Sequence, residues 1–172
     1  MGVCTSDYND LSFERVRRRI FPLDIVKQDA LSPLQEGILF HHLMAPEGDP
    51  YLLHGLLSFD TRERLDGFLR ALQAVIERHD ILRTAIVWEG LPEPVQVVWR
   101  QAPLVVEEVD LDPRIGDIGE QLRARFNTRH YRIDIRQAPM MRVCIAHDAQ
   151  RERWAMLLLT HHLSADHTAQ EV

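Results

Sequence analysis

Two cysteines, Cys4 and Cys144, are all that the 172 residues contain. They are too few for a disulfide scaffold, and their spacing matches no zinc pattern, so reduced thiols and a cytoplasmic location are the expectation. No apolar run approaches the length that crosses a bilayer, which leaves no membrane partner to expect. The opening stretch MGVCTSDYNDLSFERVRRRIF likewise has no apolar core of signal-peptide length. Cations are in deficit: 20 Lys and Arg stand against 26 Asp and Glu, a formal charge of −6. Phosphate recognition rests on clustered positive charge, so a general nucleic-acid binder is excluded from the expectation. Internal repeats and low-complexity segments are missing too.

What is present is the balance of a folded domain, 45% hydrophobic and 27% charged, in a length that suits one core. Residues 1 to about 30 read as a lead-in of mixed polarity, with the basic cluster Arg15, Arg17, Arg18 and Arg19 taken as a solvated face. Ser32-Pro33-Leu34-Gln35 combines a cap, a proline suited to the first helical position and a glutamine that can close a capping box, so a helix is predicted from Pro33 to about Leu43. Turn formers crowd Ala45 to Pro50, and Tyr51 to Phe59 reads as a strand. Asp60-Thr61-Arg62-Glu63 offers a second capping box. The helix behind it ends near Arg78 and carries Leu65, Phe68, Leu69, Leu72, Val75 and Ile76 on one stripe.

Three short β-rich runs come next, Leu82 to Trp88, Val95 to Trp99 and Leu104 to Val109, in an order that suggests a meander. A helix is predicted from Ile115 to about Phe126, with Ile118, Leu122 and Phe126 on one face. Two strands close the pattern. Met141, Val143 and Ile145 alternate with Arg142 and Cys144, whereas Trp154 to Leu159 is continuously apolar, as a strand buried on both faces should be. The fold class expected is α/β, an α+β sandwich in which helices cover a mixed, largely antiparallel sheet.

That last strand runs into Thr160-His161-His162-Leu163-Ser164-Ala165-Asp166-His167. A central strand that delivers titratable groups to its end holds them on rigid backbone. An imidazole, with a reference pKa near 6.5, accepts or donates a proton close to neutral pH. Asp166, four residues after His162, is placed to orient an imidazole or to pair with an arginine and shape the loop. An arbitrary His-His pair at a strand end more often satisfies buried backbone groups. A metal is the other competitor, but neighbouring residues on a strand point to opposite faces, so no metal site is expected. His41-His42, flanked by Phe40 and Leu43, reads as packing at the edge of the core.

Three separated motifs agree with one another. Ser32-Pro33-Leu34-Gln35-Glu36-Gly37-Ile38-Leu39-Phe40-His41, Arg78-His79-Asp80-Ile81-Leu82-Arg83-Thr84 and His161-His162-x-x-x-Asp166 resemble, in order and spacing, the first three core motifs of condensation domains of nonribosomal peptide synthetases. The resemblance implies a chloramphenicol acetyltransferase-like lobe, with residues 1–23 as lead-in and 24–172 as the amino-terminal lobe. A complete domain of the family has a second, carboxy-terminal lobe that closes a tunnel. The family joins an upstream acyl or peptidyl thioester to the amine of a downstream aminoacyl thioester. Both ride on phosphopantetheine arms, so the implied partners are donor and acceptor peptidyl carrier proteins, the missing lobe and the adjacent synthetase domains, with no cofactor bound directly.

By the same resemblance His162 is the catalytic histidine, His161 and Asp166 are mainly structural, and Arg78, His79 and Arg83 belong to a structural motif. His167 stands where the family motif has glycine, a departure at the tunnel loop. The sequence stops six residues after Asp166, so the isolated chain is expected to fold as a lobe without condensing substrates. Two other functions fit the same residues: a noncatalytic module that docks a carrier protein or tailoring enzyme, and a coenzyme-A-dependent acyltransferase, because His162-x-x-x-Asp166 is also that superfamily's motif shape.

Overall fold

The apolar run after Trp154 is the spine of the molecule. In a computed structural model, which describes residues 24–164, it lies within strand β7 (Arg153–His161). This strand pairs antiparallel with β2 (Leu52–Phe59) on one side and β6 (Met141–Asp148) on the other. On the far side of β6 lies β5 (Val105–Glu108), in parallel register with it, and the four-stranded sheet reads β2-β7-β6-β5. A second, antiparallel sheet of three strands has β4 (Val95–Trp99) between β1 (Ile25–Ala30) and β3 (Thr84–Val87).

Because side chains alternate along a strand, β7 feeds two cores. Met156 joins Val143 and Ile145 beneath helix α2 (Arg62–Arg78), packing on Leu65. Ala155, Leu157 and Leu159 face the opposite way, into the layer built by Ile38 and Leu39 of helix α1 (Pro33–Met44) and by Ile118, Leu122 and Phe126 around helix α3 (Ile118–Arg125). The strand is thus covered on both sides, as its unbroken hydrophobicity requires. Cys144 lies in the second layer, and burial pushes its thiol up to about 12, which leaves it unreactive at neutral pH.

The start of α1 follows its sequence closely. Ser32 accepts from Gln35 N at 3.3 Å while Gln35 Oε1 accepts from Ser32 N at 2.9 Å, a complete capping box with Pro33 in the first turn. The start of α2 does not. Thr61, one residue later than Asp60, accepts from Arg64 N at 3.2 Å, and Asp60 instead pairs with the Arg64 guanidinium. Val75 departs from the predicted stripe and is 44% exposed.

Three further expectations are corrected. Strand β1 lies inside what the sequence presents as lead-in. It is an edge strand with only Ile25 buried, so it has little apolar alternation to betray it. The predicted strand from Leu82 begins as a 3₁₀ turn (Asp80–Arg83), because Leu82 N is spent on His79 O and Thr84 Oγ on Asp80 O. The predicted meander breaks after β4. Strand β5 pairs in parallel with β6, and a parallel pair needs a long crossover, here the segment carrying α3. Among the described residues no helix is long and apolar enough to cross a membrane.

Candidate functional site

The paired histidines sit where β7 ends. His161 is the last residue of the strand and shares the face of Leu157 and Leu159, which turns its ring toward α1. His162 opens a 3₁₀ turn (His162–Ser164), and the residue is partly buried. The backbone is held on both sides of the pair. His161 N donates to Met140 O and His162 N to Tyr51 O, each at 2.9 Å. Leu163 N donates to His161 Nδ1 at 3.2 Å, and Ser164 Oγ to His161 O at 2.8 Å.

Beneath the pair lies a polar cluster that the sequence reading missed. Asp49, 1% exposed, places Oδ2 2.5 Å from His42 Nδ1 and 3.0 Å from His161 Nε2, while its Oδ1 accepts from Tyr51 N at 2.9 Å. The two imidazoles meet edge to face, with ring centroids 5.6 Å apart. Each part of the chain contributes for a local reason. His42 comes from the last turn of α1, where Arg132 also ties the carbonyls of His42 and Ala45 at the helix end. Asp49 comes from the turn after that helix, anchored by its own N–H on Thr128 O at 2.8 Å. In the sequence Ala45 to Pro50 reads as a turn and the His41-His42 pair as packing. Phe40 and Leu43, the neighbours that suggested a core edge, are 60% and 51% exposed, and the buried member of the pair is His42. The usable signal was a second histidine pair followed by an aspartate in a tight turn.

Burial by itself would raise the Asp49 carboxyl, but hydrogen bonds from His161, His42 and Tyr51 N outweigh it and hold the group well below the ordinary carboxylate range. A carboxylate depressed by folding stabilises the native state fully above the unfolded pKa, about 3.9, and loses that contribution as pH falls toward the folded value. Urea midpoints measured from pH 7 to pH 3 should therefore favour the native chain over Asp49→Asn by a constant margin at neutral pH. The margin should narrow only below about pH 4; one that stays constant down to pH 3 would show that the carboxylate charge is not what the cluster stabilises.

His42 Nδ1, Asp49 Oδ2 and His161 Nε2 all lie within 4.8 Å of one another, a donor set of the kind that can hold a cation. The 2.5 and 3.0 Å separations are those of direct hydrogen bonds. A zinc ion bound at about 2.0–2.2 Å to each ligand in tetrahedral geometry would push those atoms apart.

The other sequence candidates fall elsewhere. Arg78 ends α2 and His79 caps it, both exposed. Arg83 ties the 3₁₀ turn to the end of β4, donating to Trp99 O at 2.5 Å, to Arg100 O at 3.2 Å and to Asp80 at 2.5 Å. These contacts belong to the three-stranded sheet and its flank, whereas the histidine pair ends a strand of the other sheet. Asp166, His167, Cys4 and the arginine cluster of residues 15 to 19 lie outside the described residues.

Residues 26–170 match the family described as "Condensation domain". The chain is 52% identical over 143 residues to malpinin synthetase of Mortierella alpina, an alignment that takes in 83% of this chain and 2% of that protein. In structure it resembles a four-domain nonribosomal peptide synthetase bound to AMP and glycine. The TM-score is 0.68 at 16% identity, over 87% of this chain and 11% of the other. It also resembles the first condensation domain of the calcium-dependent antibiotic synthetase in complex with a substrate analogue. That TM-score is 0.61 at 15% identity, over 79% of this chain and 34% of the other. The chain therefore spans a small fraction of the curated relative and about a third of the solved condensation domain. With its two helix-covered layers and its histidine pair at the end of a central strand, it belongs to the condensation-domain family of nonribosomal peptide synthetases.

Proposed function

We propose that this chain forms the histidine-bearing, amino-terminal part, from residue 24 on, of a condensation domain that makes an amide bond between two carrier-bound substrates. The donor is an acyl or peptidyl thioester, the acceptor an aminoacyl thioester, and both are carried on phosphopantetheine arms of peptidyl carrier proteins. The observation that carries this reading is the placement of His162. It stands one residue beyond a strand buried on both faces, its backbone N–H fixed on Tyr51 O, the residue as a whole partly buried. A titratable group on so rigid a support suits a reaction that needs placement more than covalent chemistry.

The acceptor nitrogen attacks the thioester carbonyl, a C–N bond forms, and the C–S bond to the donor arm breaks. His162 takes the proton released by the nitrogen, or hydrogen-bonds the charge developing on the tetrahedral intermediate, and the departing thiolate ends protonated. Asp166 and His167 act in shaping the loop that follows, and Arg78, His79 and Arg83 in holding the neighbouring turn. The chain spans 34% of the solved condensation domain that it resembles, so the activity is assigned to the complete domain.

The test is reconstitution. The complete domain, given a donor carrier loaded with an acylaminoacyl group and an acceptor carrier loaded with an aminoacyl group, should move the acyl chain onto the acceptor, visible as its mass increase. Carrier binding without transfer would favour a docking module instead. Transfer from acyl coenzyme A with no carrier dependence would favour a soluble-donor acyltransferase.

A further inference from the structure

We infer that Asp49 is the positioning residue for His162, acting by choosing the tautomer of His161 and by fixing both peptide groups that flank the reactive ring. The inference rests on the assignment of His162 to the reaction.

His161 Nδ1 accepts a hydrogen bond from Leu163 N, so it carries no proton. The proton of a neutral imidazole must then lie on Nε2, the atom that faces Asp49 Oδ2 at 3.0 Å. A carboxylate only accepts, so Asp49 holds that proton on Nε2 while the Leu163 N–H keeps Nδ1 bare. His42 donates its Nδ1 proton to the same oxygen and holds it from the other side. Asp49 reaches His162 by two routes. Through Oδ1 it fixes Tyr51 N, and the carbonyl of Tyr51 receives the N–H of His162. Through Oδ2 and the His161 ring it fixes the N–H of Leu163, the peptide on the other side of His162. The residues that set the height and the twist of the His162 backbone therefore converge on one carboxylate in a different segment of the chain.

An amide in its place breaks the arrangement in a specific way. In Asp49→Asn, with the amide oxygen kept on Tyr51 N, the NH₂ group faces both imidazoles and can only donate. His161 must then accept at Nε2, move its proton to Nδ1 and release Leu163 N. The turn that carries His162 loses the anchor at Leu163 N, the one that follows the reactive residue, while the bond from His162 N to Tyr51 O remains. A displacement of about 1 Å at a reacting group costs about 10²-fold in rate.

The experiment compares Asp49→Asn with Asp148→Asn in the complete condensation domain, with ¹⁵N-labelled histidine to read the His161 tautomer and steady-state transfer between loaded carriers to read kcat and KM. The native domain should show His161 protonated at Nε2. Asp49→Asn should shift that proton to Nδ1 and lower kcat about 10²-fold with the KM for either carrier nearly unchanged. Asp148→Asn alters an equally buried carboxylate at the opposite end of the β6–β7 pair, outside the cluster, and should keep the tautomer and most of kcat. Equal losses of kcat in the two variants, or a native His161 protonated at Nδ1, would overturn the inference. The second of these results is available even where Asp49→Asn does not fold. The tautomer is read without turnover, so a domain that shows the Nε2 proton but transfers nothing faults the assignment of His162 and not the role of Asp49.

Discussion

Replacement of His162 by alanine in the complete condensation domain is expected to lower amide formation between loaded carriers by about 10²- to 10⁴-fold, the range lost when a positioned proton acceptor is removed. Loading of the carriers and their affinity for the domain should not change. The residue is only partly buried, and its main-chain contact with Tyr51 O does not involve the ring. Truncation leaves that main-chain anchor in place, and the residual rate measures what placement of the two thioesters supplies. His162→Gln divides the two chemical roles. It keeps a donor N–H but takes no proton, so its rate recovers part of the native value where the ring hydrogen-bonds developing charge, and stays at the alanine level where it acts as base. A His162→Ala domain that turns over at the native rate would remove His162 from the mechanism and leave the docking reading in its place.

The parts of the fold written clearly in the sequence are those in which one local rule governs. Ser32 and Gln35 close their box because both partners lie within one turn of chain, and Trp154 to Leu159 is unbroken because both faces of β7 are covered. The lost parts depend on partners far along the chain. Strand β5 looks like the third member of a meander until β6, beyond the whole of α3, claims it in parallel register. Strand β1 carries an edge pattern that only β4 explains.

The site divides in the same way. His161 and His162 were legible as a pair at a strand end. His42 and Asp49 were not, because an imidazole between the exposed Phe40 and Leu43 and a carboxylate among turn formers show no period that marks them as buried. They acquire meaning only when α1 is folded against the end of β7. What the sequence presents as two unrelated histidine pairs is one hydrogen-bonded cluster about Asp49.

That dependence makes a single glycine the most sensitive position in the turn. Gly48 has φ +66°, and a Cβ built on it would lie 2.2 Å from Arg129 O and 2.6 Å from Thr128 O. Both obstacles are backbone, so no side chain can swing away to make room. The two segments come this close because Asp49 N donates to Thr128 O, the bond that seats Asp49 under the histidines. Gly48→Ala is expected to cost about 2 to 4 kcal/mol of stability, the left-handed conformation and the forced backbone shift together. It should also lower transfer in whatever fraction of the complete domain remains folded, since Asp49 moves with the turn. Gly90→Ala supplies the comparison. Gly90 has φ +75° but nothing within 4 Å of its missing Cβ, so it carries the conformational cost alone, about 1–2 kcal/mol. Urea unfolding and carrier-to-carrier transfer measured on both variants separate the two effects. Only Gly48→Ala should lose activity beyond its loss of folded protein, and matching behaviour of the two would mean that the close approach at Thr128 and Arg129 does not hold Asp49 in place.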